Sequence, residues 1–258
     1  MKSKTIVIFA LALSIGVAAR VGASGSSSAK AVVKVVRGNC FFQKDGSWLP
    51  VKVNMPYYSG VVFRTGANSS LDLSVNGLSS AVRIEPDTVV AIPLMARSGP
   101  GRDADSQTML DLRSGAILGD VRKLPSASRY EIKTPHGIAG MRFPADFHVI
   151  ATPQPDAHND VTFTCVAGKM IVSAQAMPNS QNVIKTLKDG RSWTPGEGDI
   201  HRTPRDLLRQ YQGVLNPRLS LDGPPDLEGP VIVDPFPAGG QSLTRDGSGP
   251  TVPGNSKK

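Results

Sequence analysis

The sequence has few of the residues on which most catalytic and metal-binding sites depend. Of its 258 residues, two are cysteines, four are histidines and 5% are aromatic. The histidines are far apart and show no HxH, HExxH or Cys/His spacing, so no metal site is predicted. No nucleophile elbow, phosphate-binding loop or dinucleotide-binding glycine motif occurs. We therefore predict that the protein is not an enzyme and needs no cofactor.

No dense run of lysine and arginine with interleaved aromatics is present either. The net charge is +8 and the basic residues are spread along the chain. Nucleic-acid-binding proteins concentrate such residues in a patch or stripe. The sequence therefore predicts a solvated basic surface and no nucleic-acid partner.

The apolar run near the N-terminus is short. It extends from Thr5 to Ala19, whereas a helix needs roughly 20 residues to cross a bilayer. Lys2 and Lys4 precede it, and the small residues that follow fit a cleavage site. We predict a secretory signal peptide over residues 1–23, the alternative being a retained membrane anchor. The protein is then exported, periplasmic or extracellular, and meets the membrane only through this peptide.

The two cysteines lie far apart in strand-like sequence. In an exported protein, Cys40 and Cys165 could form a disulfide that closes residues 40–165 into one loop. They could equally be two buried free thiols, because sequence does not give the Cα separation that a disulfide needs. Both alternatives stay open at this point.

Short runs with alternating apolar and polar residues dominate after a Ser/Gly-rich leader at 24–30. Their period of two and their spacing near ten residues predict an all-β body, a twisted β-solenoid or a sandwich-like stack of short strands. The predicted strands are 31–37, 40–43, 61–65, 70–75, 81–84, 88–94, 108–113, 129–134, 146–152, 161–167, 169–174 and 183–187.

Two similar turns, KDGSWLP and KDGRSWTP, each place a tryptophan after an Asp-Gly pair. Asp-Gly tolerates the positive φ angles of tight hairpin turns. We interpret Trp48 and Trp193 as core or rim anchors beside these turns. The alternative is an exposed aromatic platform that binds sugar or peptide.

One helix is predicted over residues 201–215, with Thr203 as its cap and Gly213 near its end. It should pack against an end or edge of the β body. Residues 216–258 are rich in proline and glycine, so a disordered tail is predicted. Within that tail, VIVDPF (231–236) is either a strand-adding peptide for a partner or unstructured linker.

The order of these segments resembles the FecR-type domain over about residues 31–195, and we assign 31–200 to such a domain. The closest segments are FRTGANSSLDL (63–73) and TPHGIAGMRFPADFHV (134–149). The resemblance implies an extracytoplasmic β-rich fold, a twisted β-solenoid of stacked short strands. In signalling members this domain receives a signal from an outer-membrane transporter and controls a sigma factor through a cytoplasmic segment. No helical domain precedes the apolar run here, so that role is not transferred.

The second segment departs from the family pattern at Phe143-Pro144-Ala145, where one residue is inserted. Pro144 has no N–H to donate, so a bulge or wider turn is expected. Gly137 and Gly140 should allow close backbone approach at a corner. Ile138 and Met141, three residues apart, should need a bend to share the core.

The same segment carries the charged pair that we single out. Arg142 and Asp146 flank the Phe143-Pro144 turn. A local ion pair across this turn is the favoured interpretation, since charged pairs beside turns are common and contribute little. A ligand-binding site is the alternative.

Together these features predict an exported, non-catalytic FecR-domain interaction or scaffold protein of the bacterial cell envelope. Its partner would be an envelope protein or a cell-wall polymer. One alternative is an extracytoplasmic signalling component that acts with a separate sigma or anti-sigma regulator. Another is a glycan- or cell-wall-binding module.

Overall fold

The computed structural model describes residues 29–76, 80–98, 104–122, 124–142, 144–153, 159–175 and 181–219. The predicted signal peptide, most of the leader, Phe143, His158 and the tail beyond residue 219 lie outside these ranges. Within them, no helix is long and apolar enough to cross a membrane.

Strands make up most of the described chain, as the alternating sequence predicts. They are β1 (Ala31–Arg37), β2 (Cys40–Lys44), β3 (Ser47–Pro50), β4 (Pro56–Tyr57), β5 (Val61–Thr65), β6 (Ser70–Val75), β7 (Ser80–Ile84), β8 (Val89–Ser98), β9 (Asp105–Val121), β10 (Arg129–Thr134), β11 (Gly137–Met141), β12 (Ala145–Pro153), β13 (Asn159–Gln175), β14 (Asn182–Lys188), β15 (Arg191–Trp193) and β16 (His201–Arg202).

The strands form two sheets that share β9 and β13. Sheet A has the order β3-β2-β5-β8-β9-β10-β11-β13-β14. Sheet B has the order β4-β1-β6-β7-β9-β12-β13-β15-β16. Among the described strands, β9 and β10 form the only parallel pair. The all-β prediction is confirmed, and the pairing shows stacked sheets rather than the solenoid alternative.

The two shared strands pass between the sheets at glycines. β9 switches at Gly115, with φ of 88°, and β13 at Gly168, with φ of 84°. These positive φ angles strain any residue with a Cβ. A Cβ on Gly115 would also lie 2.5 Å from the Thr88 Cα, and one on Gly168 would clash with the Pro144 carbonyl oxygen. Glycine therefore allows each strand to continue through the corner.

Apolar side chains from the inner faces of both sheets form one core. Tyr57 of sheet B packs against Phe63 of sheet A with ring centroids 5.1 Å apart. Tyr130 of sheet A lies 6.0 Å from Phe147 of sheet B. The Tyr130 hydroxyl also lies 3.1 Å from the Ser80 hydroxyl of sheet B, so the buried phenol has a polar partner.

The helix α1 (Arg205–Leu219) covers part of the outer face of sheet B. The Tyr211 ring stacks 4.3 Å from the His148 ring, and Leu215 is buried. The Thr203 hydroxyl lies 2.6 Å from the Ser192 hydroxyl, which connects the helix start to β15.

Three details of the predicted helix are wrong. Residues 201–202 form a strand, and the helix continues past Gly213 to Leu219. It also packs on a sheet face and not on an end or edge, because its apolar side chains meet His148 and the strands around it.

Candidate functional site

A groove of about 590 Å³ lies on the outer face of sheet A, opposite to the face that meets the core. It crosses β10, β11, β13 and β14 and is closed at one end by the 126–128 loop. Its lining residues include Arg129, Glu131, Ile138, Gly140, Arg142, Ile171, Ser173 and Ile184. The GIAGMR stretch therefore supplies the floor of this groove together with one charged side chain.

Gly140 explains why the groove is open at its centre. It pairs with Glu131 on one side and Ile171 on the other. A Cβ at this position would meet nothing closer than the Ile171 carbonyl oxygen at 3.9 Å. Packing therefore does not require glycine here, contrary to the predicted close approach, and the missing side chain leaves space at the surface.

Gly137, by contrast, does have the predicted close approach. A Cβ there would clash with the Ala174 Cβ and lie 2.6 Å from the Ser173 carbonyl oxygen. The predicted bend between Ile138 and Met141 is wrong. The strand alternates cleanly, with Ala139 and Met141 buried and Ile138 exposed.

Three exposed isoleucines form the apolar part of the groove. The exposed fractions are 40% for Ile138, 38% for Ile171 and 70% for Ile184. Ile138 and Ile184 flank Ser173, since both pair with it across β13. Ile171 lies two residues along β13, on the same face. Neighbouring exposed apolar residues of this kind are typical of interaction surfaces.

A row of four basic residues runs beside the isoleucines. Lys169 pairs with Lys188 across β13 and β14. Arg129 and Arg142 lie directly beyond the Tyr130–Met141 pair, and continuing the β11–β13 register by two residues beyond the Gly140–Ile171 pair brings Arg142 beside Lys169. Arg129 donates to Glu131 across 2.6 Å, whereas Arg142, Lys169 and Lys188 form no ion pair within the described part of the chain. We call these four residues the basic row.

The predicted Arg142–Asp146 ion pair is not formed in the structure. Arg142 is exposed at the end of β11, whereas Asp146 belongs to sheet B and lies opposite Asp120. Burial raises the pKa of Asp146 to about 6; the Asp120 carboxylate adds to the rise, and Arg122 opposes it. Arg122 donates to Asp120 across 2.7 Å.

A register shift between Asp146 and Phe147 follows Pro144 closely, where the inserted residue predicted a bulge. Pro144 itself is exposed, and its carbonyl approaches Gly168. The inserted proline thus lies beside the corner where β13 passes from one sheet to the other.

The two tryptophans have different surroundings. Trp193 is buried at 2% exposure and donates from Nε1 to the Gly198 carbonyl across 3.0 Å, so it anchors the core. Trp48 is half-buried, and the Arg64 guanidinium carbon lies 4.6 Å from its ring centroid. An arginine at this distance makes a cation–π contact that covers one face of the ring.

Cys40 and Cys165 are free and buried. Cys40 lies in sheet A and Cys165 in sheet B, and their thiols donate to backbone carbonyls of their own surroundings. Burial raises the pKa of Cys40 to about 11 and that of Cys165 to about 12. The disulfide alternative is therefore not what the structure contains.

The groove presents groups that can make apolar, hydrogen-bonding and ionic contacts. It combines apolar side chains, the Ser173 hydroxyl and cations, and the Glu131 carboxylate already accepts from Arg129. Across the described residues, no three His, Cys, Asp or Glu side chains are placed to hold a metal ion. Sequence reasoning found Arg142 but missed Lys188 and the isoleucines, because only the strand register brings them together.

Two solved structures are similar in fold to part of this chain. Both are described as a "putative anti-sigma factor from Parabacteroides distasonis ATCC 8503". One is 15% identical with a TM-score of 0.42, and the other is 14% identical with a TM-score of 0.41. Each match covers 59% of this chain. This chain in turn spans 65% of one matched chain and 64% of the other, less than two thirds of either. No protein-family model and no curated protein matches the chain significantly.

Proposed function

We propose that this chain is an exported, non-catalytic FecR-domain interaction or scaffold protein of the bacterial cell envelope, and that the groove on sheet A is its binding surface. One observation carries the proposal: three exposed isoleucines surround a glycine floor beside a row of exposed cations. Apolar surface that stays exposed in a folded domain favours a binding partner. The FecR resemblance and the predicted signal peptide support an envelope location.

The test is affinity capture from a solubilised envelope fraction with the mature wild-type protein and the Gly140→Leu variant. A Cβ at position 140 meets nothing closer than the Ile171 carbonyl oxygen at 3.9 Å, so the fold should accept the leucine while its side chain fills the groove. We expect wild type to capture a partner that the variant does not. Gln43→Leu is the control, since it adds a leucine side chain at an exposed position on β2 of the same sheet, away from the groove lining. Equal capture by wild type and Gly140→Leu would contradict the proposal.

A second candidate function is binding of an anionic cell-wall polymer, which the basic row favours. Exposed charge contacts weaken as salt screens them. Pull-down on purified cell wall at low and moderate salt therefore separates the two candidates. A captured membrane regulator would instead support the signalling alternative.

A further inference from the structure

We infer that the groove binds an extended peptide segment of a partner protein in which acidic and apolar side chains alternate. This inference rests on the proposed function and names the chemistry of its partner. The peptide would run across β10, β11, β13 and β14, with its acidic side chains on the basic row and its apolar side chains against the three isoleucines.

The basic row argues for an acidic partner. Four cations lie on neighbouring strands, and Lys169 and Lys188 are directly opposite each other. Like charges in this position destabilise a sheet. Among the described residues, Arg129 forms an ion pair with Glu131, whereas Arg142, Lys169 and Lys188 form none. The Asp189 carboxylate, next to Lys188 in the chain, instead accepts from the Gly168 N–H. Acidic groups from a partner would neutralise the remaining three.

The isoleucines fix where the apolar side chains of the peptide would lie. Ile171 is two residues from Lys169 along β13, and both are on the outer face. This separation corresponds to about 6.6 Å along a strand. A peptide lying between the two rows can therefore touch cations on one side and isoleucines on the other.

The dimensions of an extended chain match this surface. Neighbouring strands are about 4.8 Å apart, so the basic row extends over about 14 Å from β10 to β14. Alternate side chains of an extended peptide point to the same side at a spacing of about 6.6 Å. Three acidic side chains in alternation therefore cover about 13 Å, close to the length of the row.

The shape of the surface favours a peptide over a membrane. The lining borders a concave space of about 590 Å³, which fits one extended segment better than a flat bilayer surface. Anionic vesicles are nevertheless included in the test as the competing occupant.

The probe is a fluorescein-labelled peptide, Glu-Val-Glu-Val-Glu-Val, whose binding to the full mature chain is measured by fluorescence anisotropy. The Lys169→Gln/Lys188→Gln double variant should weaken binding by roughly 2- to 30-fold, the range expected when two exposed ion pairs are lost. Lys44→Gln/Lys52→Gln removes the same charge from exposed lysines outside the groove and should leave binding unchanged. Gly140→Leu should abolish binding, and added salt should weaken it.

Two further peptides separate charge from apolar contact. Replacement of the valines by serine, or of the glutamates by lysine, should remove binding. Equal binding of the probe by both double variants would overturn the inference. It would also be overturned if phosphatidylglycerol vesicles displaced the probe and unlabelled peptide did not. If the probe fails to bind while envelope capture still depends on Gly140, the peptide inference fails and the proposed function stands. If capture is also insensitive to Gly140, both fail.

Discussion

Alanine at position 137 and alanine at position 140 should change the stability of the protein in opposite directions. Both glycines belong to β11 and neither has a positive φ. The substitution adds the same methyl group in each case. The difference between the two variants therefore isolates the space around each Cβ.

The expected magnitudes follow from that space. At Gly137 the new methyl would lie 2.6 Å from the Ser173 carbonyl oxygen, so β11 and β13 would have to separate by about 1 Å to reach normal contact. Overpacking of this kind costs about 1–3 kcal/mol, against a gain of about 0.5–1 kcal/mol from replacing glycine in a strand. We expect Gly137→Ala to lose about 1–2 kcal/mol. At Gly140 only the gain applies, so Gly140→Ala should gain about 0.5–1 kcal/mol.

Urea denaturation followed by circular dichroism measures both free energies of unfolding. Thermal unfolding should separate the two variants by roughly 3–12 °C, because they differ by about 1.5–3 kcal/mol and 1 kcal/mol shifts the melting temperature of a domain of this size by about 2–4 °C. A Gly137→Ala protein at least as stable as wild type would refute the close approach of β11 and β13. A Gly140→Ala protein less stable than wild type would show that the groove floor is not open.

Three other predictions concern buried groups and corners. Because the pKa of Asp146 is raised from 3.8 to about 6, its ionisation costs stability above pH 6, and this cost disappears as the pH falls below 4. Asp146→Asn should therefore gain about 1 kcal/mol of unfolding free energy over wild type at pH 7.5 and nothing near pH 3. The gain corresponds to a pKa shift of about two units, reduced because the carboxyl is partly exposed. If urea denaturation gives the same difference between variant and wild type at both pH values, the prediction is contradicted. Gly115→Ala should lose about 3 kcal/mol or more, since it adds a clash to the strained φ, whereas Gly198→Ala, with φ of 105° and open space, should lose only about 1–2 kcal/mol. Cys40 and Cys165 should resist Ellman's reagent at pH 8 in the native protein, and both should react after unfolding without reductant. If the unfolded protein shows no free thiols, the two cysteines form a disulfide.

Individual strands were predictable because their signal is local. SLDLSV and RYEIKT alternate strictly, and both form strands with the predicted bounds, Ser70–Val75 and Arg129–Thr134. The Asp45-Gly46 turn likewise has positive φ at both residues, of 49° and 81°. Each of these features depends only on neighbouring residues.

The long strands were not predictable in the same way. Residues 161–167 and 169–174 form one strand through Gly168, and 108–113 is the middle of a strand that continues through Gly115. Glycine usually interrupts a strand pattern. Here it sits where the chain changes sheets, which only the tertiary structure reveals.

The groove depends on register more than on any motif. Ile138, Ile171 and Ile184 are far apart in sequence and become neighbours only through the pairing of β11, β13 and β14. Arg142 could be selected from sequence because it lies in an unusual segment. Its predicted ion-pair partner, Asp146, belongs to the other sheet, because the chain crosses between the sheets just after β11.

The sharing of β9 and β13 has a consequence for how the protein opens. Each of these strands is hydrogen-bonded within both sheets. Neither sheet can lose β9 or β13 without breaking the backbone ladder of the other, so local opening is confined to the other strands. Amide hydrogens in the middle of β9 and β13 should therefore exchange with solvent only when the whole domain unfolds, as one cooperative unit.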